Sequence, residues 1–186
     1  MEYFKIGQEK TYRNILRPLL PTMSQIWGEE KPLLVHGKAE KSEEDIRFLP
    51  FYQANVLSGA FLISKKMGDI WKKYQYGGRY RPCVFGHVET RNLETYYLMY
   101  PRLLNVLHKD TVYLKDGEIE QICLCRELVE IHRVFGIKGK HRTDIVVAGD
   151  VLEEMLKEEI VGFQAVPVSV KEGTPWQKNM WWRMQP

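Results

Sequence analysis

Phe61-Leu62-Ile63-Ser64-Lys65-Lys66-Met67-Gly68-Asp69-Ile70-Trp71-Lys72-Lys73-Tyr74 is the stretch on which the fold turns. Three consecutive apolar residues read as a short buried strand. Ser64 then caps a helix by accepting a backbone N–H bond from its first turn. Met67, Ile70, Trp71 and Tyr74 recur at helical spacing, which sets four large side chains on one face. Gly77-Gly78 ends the helix, and Tyr80 to Val88 follows as an extended stretch.

A second stretch has the same order. Ile145-Val146-Val147 runs through Ala148-Gly149-Asp150 into a helix bearing Val151, Leu152, Met155 and Leu156, then into Val161 to Val168. Each copy is strand, short amphipathic helix, then a strand carrying a proline (Pro82, Pro167). Residue 145 stands where residue 61 stands, an offset of about 84 residues and far longer than the unit of a solenoid. The pair reads either as a duplication or as two separate instances of the common β-α-β unit. Both readings give an α+β protein, a mixed and mainly antiparallel β-sheet with a few short amphipathic helices packed on it.

Outward from these units the pattern weakens. Tyr3, Phe4 and Ile6 suggest a first strand, Lys31 to Val35 a buried one, and Leu93 to Met99 a strand rich in aromatics. The charged run Lys38 to Asp45 reads as a solvated loop or short helix. Residues 111 to 125 read as one hairpin, with Val112 and Leu114 before Asp116-Gly117 and Ile119, Ile122 and Leu124 after it. Val134 to Ile137 is a further strand. The expected organisation is a single domain over 1–186: an irregular part at 1–60, a core at 61–170 and a Trp-rich tail at 171–186.

Composition is that of a globular chain able to bury roughly 70% of its unfolded surface. The net charge of +3, from 27 basic and 24 acidic residues, is too balanced to announce nucleic acid. Cys83, Cys123 and Cys125 form no disulfide framework, which points to a reducing cytoplasm. No signal peptide and no membrane-spanning run is visible, so a soluble, cytoplasmic protein is expected.

The search for chemistry nominates no catalytic residue and no metal or cofactor. Cys123 and Cys125 share one face of a strand, but zinc sites space their cysteines by two to four residues, so both read as small buried hydrophobes. His36, His87, His108, His132 and His141 fall into no metal-ligand spacing. His132 has Glu130 nearby, a pairing common by chance. Gly136-Ile137-Lys138-Gly139-Lys140 lacks the Lys-Ser/Thr ending of a phosphate loop. With His141 and Arg142 it is the most basic stretch in the chain, and it reads as a hairpin tip in solvent or as a phosphate-binding patch.

Phe61 to Ile70, the aromatic strand at Tyr96-Tyr97-Leu98, and Arg133-Val134-Phe135-Gly136-Ile137-Lys138 carry a resemblance. Asp144 to Val147, the helix Val151 to Leu156 and the closing Gly162-Phe163-Gln164-Ala165-Val166-Pro167-Val168 extend it. Together they resemble the immunity-protein-eleven family of bacterial polymorphic toxin systems over roughly residues 45 to 170. The resemblance implies a non-enzymatic antidote that binds a cognate protein toxin and blocks it. Large aromatic and Arg residues are the usual anchors of such a contact. By residue type the candidates are Trp176, Trp181, Trp182, Arg183, Tyr76 and Tyr80, with Tyr74 beside them. A nucleic-acid-binding module built on Lys138, Lys140, His141 and Arg142 is the alternative.

Packing of the Trp-rich tail against the domain is favoured over its presentation to a partner, because large aromatics are usually core material. Deleting residues 172–186 separates the two. Packing predicts a large drop in melting temperature, whereas contact predicts lost toxin binding with the melting temperature unchanged.

Overall fold

Ser64 opens the first helix as its hydroxyl predicts. Its Oγ accepts the Met67 N–H at 3.3 Å, a cap that contributes about 1 kcal/mol. Lys72 and Lys73 lie in the last turn of that helix, where positive charge meets the negative end of the helix dipole. Met67, Ile70 and Trp71 are buried, and so is Gly68. A Cβ on Gly68 would stand 2.3 Å from Cδ2 of Tyr97, so helix and strand approach more closely than any larger residue permits.

The computed structural model describes residues 1–19, 33–39, 46–55, 59–74, 77–87, 91–173 and 175. Among them the chain runs β1 (Tyr3–Gln8), β2 (Arg17–Leu19), β3 (Leu33–Lys38), β4 (Phe51–Asn55), β5 (Ala60–Ser64), α1 (Lys65–Tyr74), β6 (Arg79–His87) and β7 (Asn92–Tyr100). It continues β8 (Val112–Tyr113), β9 (Ile119–Gln121), β10 (Cys123–Cys125), α2 (Arg126–Val129), β11 (Val134–Lys138), β12 (Thr143–Ala148), α3 (Gly149–Lys157) and β13 (Phe163–Lys171). The class is mixed α+β with mostly antiparallel sheets. No helix among the described residues is long and apolar enough to cross a membrane. Residues 40–45 of the charged run lie outside the described residues.

Two larger sheets form, ordered β2-β3-β6-β7-β5-β4 and β10-β13-β1-β12-β11. They share one plan. Strands β5 and β6 each pair antiparallel with β7, and β12 and β13 each pair antiparallel with β1. Strand β3 adds parallel to β6, as β10 does to β13. Strands β4 and β11 pair antiparallel with β5 and β12. Even the register repeats. Tyr97 lies opposite Ile63 and Pro82, while Phe4 lies opposite Val147 and Pro167. Among the described residues, pairing with β3 begins at Cys83 and pairing with β10 at Ser169, so the prolines precede the stretch where their strands pair on both sides. The two strand-helix-strand stretches read from the sequence therefore share one topology, with one difference: the central strand β7 follows β6 directly, whereas β1 reaches the centre of its sheet from the opposite end of the chain.

Alternation along these strands buries both faces of each sheet. Phe61, Ile63, Tyr97, Met99, Ile145, Val147 and Ile6 point into a central core with both longer helices. The opposite face of the first sheet, with Leu62, Tyr96 and Leu98, is covered by Leu16 and Leu49. The opposite face of the second, with Tyr3, Phe135 and Val146, is covered by Val106, Ile119, Ile122 and Leu124. Tyr96 and Tyr3 each donate a hydroxyl bond to the covering layer, at Leu49 O (2.7 Å) and Val129 O (2.5 Å).

Helices α1 and α3 meet in the central core. Trp71 Nε1–H donates to Met155 Sδ at 3.2 Å, and these residues hold the same place in the two units. Around them Lys66 pairs with Glu158 at 3.2 Å and the Tyr74 hydroxyl donates to Glu154 at 2.5 Å. Helix α3 ends without glycine. Glu159 takes φ 55° while the Ile160 N–H bonds Met155 O and the Glu159 N–H bonds Leu156 O. That double bond pattern closes the last turn and turns Ile160 into the core.

Residues 111–125 depart from the single hairpin expected. Only Val112–Tyr113 and Ile119–Gln121 pair, around a turn where Gly117 has φ +84°. Cys123–Cys125 leaves the hairpin and pairs parallel with β13, because Ile122 and Leu124 are drawn into the outer core. Strand β4 is a further element that periodicity did not reveal.

Trp71 is fully buried at the junction of the two halves. Trp71→Ala is expected to lower unfolding free energy by about 3–5 kcal/mol, read as a reduced urea midpoint with an unchanged slope.

Candidate functional site

The basic stretch lies at the turn between β11 and β12. The Gly139 N–H bonds Arg142 O at 2.8 Å and closes the turn. The turn is braced from outside by the β8–β9 hairpin. Glu118 Oε2 accepts the His141 N–H at 2.8 Å, Lys140 Nζ donates to Asp116 O at 2.6 Å, and Arg142 Nη2 donates to Ile119 O at 3.2 Å. Glu118 Oε1 would lie 2.1 Å from a Cβ on Gly139. Glycine is required there because a carboxylate fills the space.

Beneath the turn is a buried charge cluster. Glu118 and Asp144 are each 6% exposed. Arg142 Nε lies 3.7 Å from Glu118 and 3.5 Å from Asp144, and Lys5 Nζ lies 3.6 Å from Asp144. Asp144 Oδ2 and Arg142 Nε are buried with no hydrogen-bond partner among the described residues. Burial pushes the Asp144 carboxyl above its ordinary range, against the lowering by the Lys5 and Arg142 charges. Desolvation outweighs attraction here because the two cations approach without well-formed hydrogen bonds.

Two clefts flank the turn. One, of about 490 Å³, is lined by Gly59, Tyr100, Pro101, Leu103 and residues 138–143. The other, of about 930 Å³, has Leu103, Leu104, Leu107, Tyr113 and Ile137 as its walls, with Lys138 and Lys140 beside them. Leu103 belongs to both and is 50% exposed. Gly136 holds it there: the Gly136 N–H bonds Arg102 O and the Leu104 N–H bonds Gly136 O. A Cβ on Gly136 would meet Pro101 at 2.7 Å and Leu103 at 2.9 Å.

Of the residues nominated by type, Trp176, Trp181, Trp182, Arg183 and Tyr76 lie outside the described residues. Tyr80 is half-buried against Tyr97, ring centroids 6.2 Å apart and perpendicular, with Lys72 Nζ 5.4 Å from its ring. Tyr74 is bound to Glu154. The basic residues do come together, but their charges are not equally available. Arg142 faces two carboxylates, whereas Lys138 makes no ion pair among the described residues.

The three cysteines are buried and unpaired. Burial pushes the Cys83 thiol up to about 12 and also raises Cys123 and Cys125, which keeps all three as poorly nucleophilic thiols. His132 is pushed down, first by burial and then by the Arg102 charge. No group of three or more His, Cys, Asp or Glu among the described residues is placed to hold a metal ion.

Sequence reasoning missed Leu103, Leu104, Leu107, Tyr113 and Ile137 as cleft walls, and Lys5, Glu118 and Asp144 as braces. One signal was present. Asp144 shares its strand face with Val146 and Ala148, which are buried in the outer core, and a carboxylate in that register demands a partner. No family model matches the chain, and no curated protein matches it.

Because the folded-state pKa of Asp144 lies above its unfolded value, this group favours folding most below the unfolded value and loses that contribution as pH rises through the folded one. The stability of the native chain relative to Asp144→Asn is therefore expected to increase as pH falls through that window. Urea unfolding of both proteins across mildly acidic pH checks the sign.

Proposed function

We propose that this chain is a non-catalytic immunity-type protein of a bacterial polymorphic toxin system, which binds a cognate toxin domain and neutralises it through protein–protein contact. The observation that supports this reading best is the braced turn at 138–142. A cationic loop is tied by hydrogen bonds to Asp116, Glu118 and Ile119 of the neighbouring hairpin, beside a half-exposed leucine. A surface ordered before the partner arrives loses little conformational freedom on binding. An apolar centre with charge at its rim is the usual anatomy of a protein contact. The order of elements over roughly residues 45–170, which resembles the immunity-protein-eleven family, points the same way.

The nucleic-acid reading is weaker on the same geometry. Salt-dependent phosphate binding scales with the number of cations free to neutralise phosphates. Here Arg142 is held by Glu118 and Asp144, which leaves Lys138 and Lys140 as the lysines of the turn without an ion pair among the described residues. Trp176, Trp181, Trp182, Arg183, Tyr76 and Tyr80 remain candidate anchors by residue type. A standard contact of about 800 Å² per partner has room for such anchors as well as the turn.

Co-expression tests the proposal. Where the neighbouring reading frame encodes a large protein ending in a compact toxin-like domain, that domain should arrest growth alone, and co-expression of the full chain should restore it. A stoichiometric complex of the two should elute as one species. Absence of protection and of complex, or turnover of a substrate by the purified chain itself, defeats the reading.

A further inference from the structure

We infer that the 930 Å³ cleft between the 103–107 segment, the β8–β9 hairpin and the β11–β12 turn takes an acidic, leucine-bearing segment of a protein partner. Aliphatic side chains would lie against Leu103 and Leu104, over the buried Leu107 and Ile137, and carboxylates would meet Lys138 and Lys140 at the rim. The inference rests on the binding reading above and gives the partner its chemistry.

Three observations carry it. The walls are aliphatic, with Tyr113 the one aromatic ring among the lining residues. That ring packs on the outer core, and burial raises its phenol. Single-stranded nucleic acid is bound through exposed aromatic platforms combined with a cationic groove, and this cleft lacks the platform. It favours branched and straight aliphatic side chains instead.

The rim is cationic in a specific way. Glu118 is turned inward onto the His141 N–H and toward Arg142, so it is spent inside the structure. Lys138 makes no ion pair among the described residues, and Lys140 gives a hydrogen bond to a neutral carbonyl, so both keep an uncompensated positive charge. Carboxylates flanking an aliphatic anchor complement that pairing of charge and apolar surface.

The cleft is also built rather than incidental. Both glycines in its lining have a structural reason. Gly139 leaves the space that Glu118 fills, and Gly117 takes φ +84° in the hairpin turn, with Lys140 Cδ 3.4 Å from where its Cβ would be. Gly136 presses the 101–104 segment against the edge of β11 and so presents Leu103. Close backbone packing on three sides gives walls that need not rearrange when a ligand enters.

Fluorescence anisotropy with the full chain tests this with defined probes. The probes are a labelled peptide alternating Glu and Leu, the same peptide with Ser for Leu, one alternating Lys and Leu, and an oligothymidine. The Glu–Leu peptide is expected to bind, more weakly as salt rises. Lys138→Glu and Leu103→Asp, both at exposed positions, should each weaken it about tenfold or more with unchanged melting curves. The inference is overturned if the Glu–Leu peptide fails to bind, if the Ser or Lys peptide or the oligothymidine binds as tightly, or if neither variant weakens binding. Self-association that Leu103→Asp abolishes would also overturn it, by assigning the cleft to a second copy. These probes do not depend on the toxin. A negative result here leaves growth protection intact, and a failure of protection leaves peptide binding to be read on its own.

Discussion

One of the two large sheets has its centre filled from the far end of the chain. Strand β1 lies between β12 and β13, and β7 lies between β5 and β6. Strand β7 finds both partners within residues 60–87, whereas the backbone groups of β1 are satisfied only when residues 143–171 are in place. Tyr3 meets Ala148 across this pairing, a separation along the sequence that makes the closure entropically expensive and folding correspondingly slow. That closure has a structural benefit. It ties the two units into one cooperative body, and the central core between them carries residues from both sheets and both longer helices.

The helix contact follows from that constraint. With both sheets closed, α1 and α3 lie in the core between them and meet at Trp71 and Met155. Their outer faces differ in sign, lysine-rich on α1 and glutamate-rich on α3, and cross-helix pairs such as Lys66 with Glu158 bridge them. Such exposed pairs contribute little individually. The buried indole and the Gly68–Tyr97 approach decide the geometry, and the ion pairs follow it.

The charge cluster at Lys5, Glu118, Arg142 and Asp144 plays a different part. It costs desolvation, as the raised Asp144 carboxyl shows, and packed apolar residues would often be more stable in its place. What it provides is position. It links β1, β12, the turn at 138–142 and the β8–β9 hairpin through close opposite charges and the hydrogen bonds made by His141 and Arg142.

Much of the fold was legible from residues alone. Period 3.6 over Met67 to Trp71, the Ser64 cap and the apolar runs at 61–63 and 145–147 depend on neighbours a few residues apart, which is why local reading finds them. The two strand-helix-strand stretches with their prolines were legible for the same reason. What the tertiary structure alone decided is that β1 fills the centre of the sheet built from β10 to β13. Pairing between residues far apart along the chain leaves no local trace, and the departure of Cys123–Cys125 from its hairpin to pair with β13 is set in the same way. The candidate site divides likewise. Its basic residues are contiguous and could be read directly, whereas the leucine walls and the buried carboxylates come from separate segments that only the folded chain brings to one place.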